Sequence, residues 1–445
     1  MPSELEAKRL VDTVLRLSRA EQTEVSVHTV DTSLTRFANN EIHQNVAERD
    51  TSVSVRVTLG RRYGLASTND LSDRGLEAVA KEAAAIANAL PELDDFLPLP
   101  EPQESLQADG SNVGTAEFGP HQRAAGVRTI CDLARERGFL AAGAFRTDIG
   151  AIAIGNSHGL FAYHESTTAE LMTVVMSDES SGHAGRLAVD VGEIDAEQVG
   201  AEAVGKADRG RNPRSLEPGR YEVVLEAYAV SDMLDFLAYT GLGALAVQEG
   251  RSFISGKLGH QVLGPNITIS DDGMDPSGVV RPFDYEGIPA RRVDLIVDGV
   301  ARSPVYDRRT AAKDGTETTG HALPPAYTMG PMPMNMFLKP GDATKDELIA
   351  SVKRGLLVTR FWYTRVVHPL TVTMTGMTRD GTFLIENGEI AGPVKNLRFT
   401  ESYVEALNRV DLIGGETALI REFFAANRVP ALKIDGWSFT GATEY

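Results

Sequence analysis

One carboxylate, Glu226, stands where a short apolar run changes its period. Residues 221–225 read as a strand. From Glu226 onward, Val230, Met233, Leu234 and Leu237 recur at three- and four-residue steps, which marks a helix with one buried face. A strand running into a buried helix is a common mount for catalytic groups. A carboxylate there serves hydrolysis when a metal brings the pKa of a bound water near neutrality. Without a metal it faces a water of much higher pKa, and each ~1.4 kcal/mol of lost stabilisation costs a tenfold in rate. The nine histidines do not supply an obvious metal site. None stands in an HExxH pattern. The nearest pair, His158 and His164, lies across a turn and lacks a third donor. His260 matches no ligand position, and His368, before a proline, reads as structural. Cys131 lies among Val127, Ile130 and Ala134 at helical spacing and reads as a core thiol; as the single cysteine it forms no intrachain disulfide. No GxSxG, P-loop or dinucleotide fingerprint occurs in a fitting context. The adjacent pairs Ser231-Asp232 and Ser157-His158 do not make a triad, because adjacency in sequence does not set triad geometry.

A second group is Arg365, Arg379 and Asp380, with Arg398 and Glu401 nearby. Guanidinium groups hold a peptide carboxylate bidentately, and the same groups can instead pair internally with Asp380 or Glu401. Arg365, Arg379 and Asp380 are the candidate substrate contacts. Gly381 follows them and admits backbone angles closed to other residues.

The elements that must position these groups fall into an α+β chain: two mixed N-terminal domains followed by a β-rich domain, a barrel or curled sheet. The first domain covers 1–90, with a helix at 4–18, strands at 24–31 and 51–59, and an alanine-rich helix at 71–90. Asn39-Asn40 between its strands tolerates positive φ. Residues 91–115 contain a proline- and acid-rich run and read as a linker or a wrapping segment. The central domain covers 116–207, with strands at 138–148, 151–156, 160–166 and 167–177. Residues 208–219 are a breaker-rich linker. The third domain covers 220–445, with strands at 260–269, 278–283, 294–300, 356–363, 369–375, 382–385, 430–434 and 437–440. Glu386-Asn387-Gly388-Glu389 is a type I′ hairpin signal. Residues 303–341, rich in proline and methionine, read either as a mobile surface loop or as a loop that contacts substrate or partner.

Composition bounds the function. Of 445 residues, 42% are hydrophobic and 24% charged, enough for several cores. The net charge of −18 argues against nucleic acid and against anionic membrane surfaces. The N-terminus has no apolar h-region, and no apolar run reaches the ~18 residues of a membrane span. The cytoplasm is the expected compartment.

Five stretches carry a family resemblance. The join at 220–241 resembles the segment of TldD-type metallopeptidases that carries a His-Glu-x-x-x-His zinc motif. TRFANNEIHQ (35–44) resembles the superfamily's amino-terminal domain. MFLKPGDATKDELI (336–349), FWYTR (361–365) and MTGMTRDGTFLIENGEIAGPVKNLRFTES (374–402) resemble its C-terminal blocks. The resemblance places the two histidine positions of the motif at Leu225 and Val230, with Glu226 between them. Leucine and valine offer zinc no lone pair. The late cysteine that completes the zinc site in the TldD branch has no counterpart. The chain is therefore most similar to the metal-free TldE (PmbA) branch, with no cofactor and no metal of its own. The resemblance implies a heterodimer with a TldD-like zinc subunit that cleaves unfolded peptides, this chain supplying walls and substrate contacts. Two other readings stay open: an autonomous hydrolase with a non-metal site, and a non-catalytic peptide-binding homodimer.

Overall fold

A computed structural model describes residues 3–104 and 108–442. The first half is built on one antiparallel sheet of six strands: β1 (Gln22–Ala38), β2 (Glu41–Leu59), β3 (Arg62–Thr68), β4 (Leu140–Asn156), β5 (Phe161–Met176) and β6 (Ser181–Ala188), in the order β3-β2-β1-β4-β5-β6. Valines at every second position make the strands. Val53, Val55 and Val57 are fully buried, and they meet Val25 and Val27 beneath α1 (Glu4–Leu17) and α2 (Asp73–Ala89). The short α3 (Val113–Ala116) leads to α4 (Pro120–Glu136) and α5 (Ala196–Arg209). These two cover Phe37, Phe145, Leu171 and Val175 at the other end, with Cys131 in that core.

The strands expected at 138–148 and 151–156 are one strand, as are those at 160–166 and 167–177. Gly150 does not break β4, because Val30 and Ser166 pair with it on either side. Asn39 and Asn40 take φ of 53° and 61° and turn β1 into β2. Residues 91–104 wrap rather than hang. Leu99 is buried and its N–H donates to Gln22 Oε1 at 2.7 Å, while Asn156 Nδ2 donates to the Pro100 carbonyl at 2.8 Å.

The second half holds β7 (Gly219–Leu225), α6 (Ala227–Gly241), α7 (Ala244–Gln248), β8 (Ile269–Asp271), β9 (Val293–Val297), β10 (Val300–Ala301), α8 (Arg308–Asp314), β11 (Asn335–Leu338), α9 (Lys345–Ala350), β12 (Arg354–His368), β13 (Thr373–Glu386), β14 (Glu389–Pro393), β15 (Leu397–Ser402), α10 (Tyr403–Leu407), β16 (Val410–Arg421) and β17 (Ala426–Ala442). The sheet closes on itself. The path β17-β15-β13-β12-β7 returns to β17, because β7 pairs in parallel with β12 and antiparallel with β17. Closure removes open edges. An aromatic cluster of Phe361, Phe399, Tyr403 and Trp437, with ring centroids 4.5–6.4 Å apart, lies in the core of this domain.

Several expectations are corrected. The helix after Glu226 does not have one buried face: thirteen of the fifteen residues of α6 are buried, because it packs against the barrel and its covering segments. Residues 278–283 form no strand, and of 260–269 only Ile269 joins one. Residues 369–371 are a 3₁₀ turn ahead of β13. Residues 430–434 and 437–440 belong to the single strand β17, which continues across a register shift between them. The reading of 303–341 as a surface loop gives way to a packed segment. Met332 and Met336 are buried in the C-terminal core, where an unbranched thioether fills irregular space, and Met329 and Met334 pack against it.

Candidate functional site

Leu225 ends β7 inside the barrel wall, paired with Val358 on one side and Leu432 on the other. Val230 lies in the first turn of α6. Both are fully buried in the C-terminal core. Glu226, between them, is the N-cap of α6: its N–H donates to the Val358 carbonyl at 3.0 Å, and its own carbonyl accepts the N–H of Ala229 and Val230.

The Glu226 side chain does not cap the helix. It turns to the central domain, where Lys206 Nζ donates to Oε2 at 2.7 Å, and Lys345 Nζ donates to Oε1. Lys206 is buried and uses all three of its protons, on Glu226, on Glu202 Oε1 at 2.8 Å and on the His183 carbonyl at 3.0 Å. Its ammonium lies 5.1 Å from the Tyr228 ring centroid, and the Tyr228 hydroxyl bonds Gly185 and Arg186. Burial pushes the Glu226 carboxyl up, and the two ammoniums outweigh it and hold it at about 2. Burial likewise works against the Lys206 ammonium, and the carboxylates of Glu226 and Glu202 outweigh it, raising its pKa. The carboxylate is therefore ionised and its oxygens are occupied. Zinc does not fit these residues: two of the three motif positions are aliphatic and sunk in the core, and the third is saturated by cations. Among the described residues no group of three or more His, Cys, Asp or Glu is placed to hold a metal.

Sequence reasoning missed Lys206, Lys345 and Tyr228. A signal existed for the first. Lys206 falls on the apolar stripe of α5 with Val199, Ala203 and Ala207, and a lysine there needs a buried anion.

Arg379 and Asp380 lie elsewhere, on β13 in the wall of a cleft of about 1010 Å³. The cleft runs between the β5–β6 turn (176–181), residues 210–213 and the barrel, where Trp362, Tyr363 and Lys395 complete it. Asp380 is buried and takes a φ of +55°. Its Oδ2 accepts Arg360 Nε at 2.7 Å and Arg360 Nη2 as well, while Arg379 Nε stands 3.8 Å from Oδ1. Arg360, which the sequence reading passed over, is thus the partner of Asp380. The guanidiniums of Arg360 and Arg379 lie over the Trp362 ring at 5.1 and 4.7 Å. Trp362 is 42% and Tyr363 65% exposed, and Tyr363 has a φ of +57° where β12 slips register against β13. Left-handed backbone at two non-glycine residues is held only where the surroundings enforce it.

Arg365 is not in this wall. It is exposed, stacks on Tyr363 at 4.4 Å and donates to the Thr364 carbonyl at 2.7 Å. Glu401 pairs with Arg409 at 3.2 Å rather than with Arg398.

Comparison with known proteins bears on the whole chain. Solved structures with the same fold include TldE from Thermococcus kodakarensis (TM-score 0.88, 20% identity, 99% of this chain and 100% of that one) and a putative modulator of a DNA gyrase from Thermotoga maritima (0.85, 20%, 97% and 100%). Metalloprotease PmbA of Escherichia coli O157:H7 is 24% identical across 93% of both chains. A metalloprotease TldD homolog of Haemophilus influenzae is 32% identical over 171 residues, spanning 38% of this chain but only 35% of its own length. Models of the PmbA/TldA metallopeptidase domain 1, central domain and C-terminal domain match residues 23–87, 127–211 and 218–441 in turn. With three consecutive domains of one family, the last covering half the chain, this protein belongs to the PmbA/TldD metallopeptidase family.

Proposed function

We propose that this chain is the metal-free, TldE-like subunit of a heteromeric metallopeptidase acting on unfolded peptides in the cytoplasm. One observation carries the reading: the carboxylate left at the motif, Glu226, is locked between Lys206 and Lys345, while Leu225 and Val230 beside it are buried aliphatics. A TldD-like partner supplies the metal and the base. This chain supplies wall and substrate contacts, with the Trp362, Arg379 and Asp380 cleft as the contact surface. Exposed aromatic rings beneath guanidiniums and an arginine with spare donors suit a peptide backbone and its carboxylates without demanding one sequence. Arg365 stays a weaker candidate contact at the exposed end of β12, the strand that carries Trp362.

The test is reconstitution. The purified chain is assayed for zinc by elemental analysis and for cleavage of an unfolded peptide, alone and with a TldD-like chain. The expected result is less than one-tenth of a zinc per chain, no cleavage alone, and chelator-sensitive cleavage with the partner. Chelator-sensitive cleavage by the chain alone overturns the proposal.

A further inference from the structure

The β1-β4-β5 face of the N-terminal sheet meets the segment 279–285 of the C-terminal half across a cavity of about 250 Å³. His28 pairs with Ile152, and Ile152 with His164, so the two histidines stand in one row across three strands, their backbone positions roughly 10 Å apart. Three arginines line the same cavity: Arg146 from β4, Arg421 from the end of β16, and Arg281 from the facing segment. One carboxylate, Asp148, belongs to the lining, and it is already engaged, accepting Arg146 Nε at 2.8 Å and Thr32 Oγ1 at 2.7 Å. Arg421 Nη1 stands 3.5 Å from Glu170 and 4.0 Å from Asp148. Arg281 has no carboxylate within 4 Å among the described residues, and its charge depresses the pKa of both His28 and His164 after burial has done so. The guanidinium and both rings line the same cavity. In a chain of net charge −18, a concave site with three guanidiniums against the paired carboxylates of Asp148 and Glu170 keeps one cation unpaired among the described residues, Arg281, and is a local reversal of sign.

We propose that this cavity binds a small oxyanion of the phosphate or phosphate-monoester class. Arg281 is the principal ligand, Arg421 and Arg146 flank it, and His28 at the mouth donates a ring N–H. Arginine presents paired N–H groups that match two oxygens of such an ion. His164 is a positioning residue here, since its Nε2 is engaged by the Val280 carbonyl at 3.2 Å, which fixes the segment that carries Arg281. The ligand bridges the two halves of the chain, so binding stabilises their contact.

The experiment is calorimetric titration of the full chain with sulfate, inorganic phosphate and glycerol phosphate, at ionic strength matched with chloride. Saturable one-site binding is expected, weakened at least tenfold in Arg281→Gln with an unchanged unfolding midpoint in the absence of ligand, because the guanidinium holds no carboxylate of the protein. Tighter binding of the ester than of free phosphate identifies an organophosphate as the ligand, and the reverse identifies the free ion. No heat beyond the chloride control, or equal binding by Arg281→Gln, overturns the proposal. If Arg281→Gln lowers the unfolding midpoint, Arg421→Gln and a crystal grown with selenate decide: selenium on Arg281 supports the site, and its absence there overturns it.

Discussion

At the scale of single residues, Glu226 and Lys206 set the strongest expectation. Removing one partner of a buried pair leaves an uncompensated charge. Lys206→Met should lower stability by about 3–5 kcal/mol, and Lys206→Met with Glu226→Gln should recover a large part of that, read by urea unfolding. The pH dependence has a definite sign. The folded pKa of Glu226 is depressed from 4.5 to about 2, so its contribution is present above the unfolded value and lost as pH falls from ~5 to ~2. The loss is about 3 kcal/mol, and Glu226→Gln should flatten the acid limb of stability against pH. The aliphatic pair Leu225 and Val230 was legible in the sequence, because a missing donor is a matter of residue type alone. Lys206 was not, because it reaches Glu226 from another part of the chain, and periodicity reports which face is buried without reporting what lies opposite.

At the scale of elements, α6 shows where pattern reading stops. Its apolar positions announced a helix. Asp232 and Asp235, which interrupt those positions, are both buried, Asp232 accepting the Tyr403 hydroxyl at 2.6 Å and Asp235 accepting the N–H of Phe424 and Ala425 at 2.9 and 3.2 Å. A polar residue with a tertiary partner is indistinguishable in sequence from one in water. Burial raises the Asp232 carboxyl to about 7, the opposite sign to Glu226: stability is present below the unfolded pKa and is lost as pH rises from ~4 through ~7. Asp232→Asn should remove that slope, as followed by thermal unfolding across the range. The β13–β14 turn was legible because local geometry decides it. Asn387 and Gly388 take φ of 53° and 81°, the I′ signature. A methyl at Gly388 would meet the Ala350 carbonyl oxygen at 2.7 Å, whereas one at Gly60, φ 62°, meets nothing within 4 Å. Gly388→Ala should therefore cost about 1–3 kcal/mol and Gly60→Ala only about 1, by chemical denaturation.

At the scale of the molecule, the closed ring of β7, β12, β13, β15 and β17 was expected only as one of two possibilities, since short strands leave pairing order open. The six-stranded N-terminal sheet was read as separate pieces because glycine and serine inside a strand resemble a break. The halves are joined by charge as well as by chain. Arg56 bridges Glu24 at 2.8 Å and Glu286 at 3.9 Å, and Arg309 holds Asp95 of the wrapping segment at 2.6 Å. The second pair is half-exposed, so Arg309→Ala should cost less than about 1 kcal/mol. Leu99→Ala, in the buried part of the same strap, should cost about 2–5 kcal/mol, both by urea unfolding.

The two ammoniums at Glu226 also bear on whether zinc chemistry can be built here by substitution. Placing imidazoles at 225 and 230 would set two polar rings into packed hydrocarbon, beside a glutamate whose oxygens already answer to lysine. Such a substitution should lower stability and bind no ion. A route to zinc at this place must begin by evicting Lys206, a residue that no comparison confined to the motif would single out.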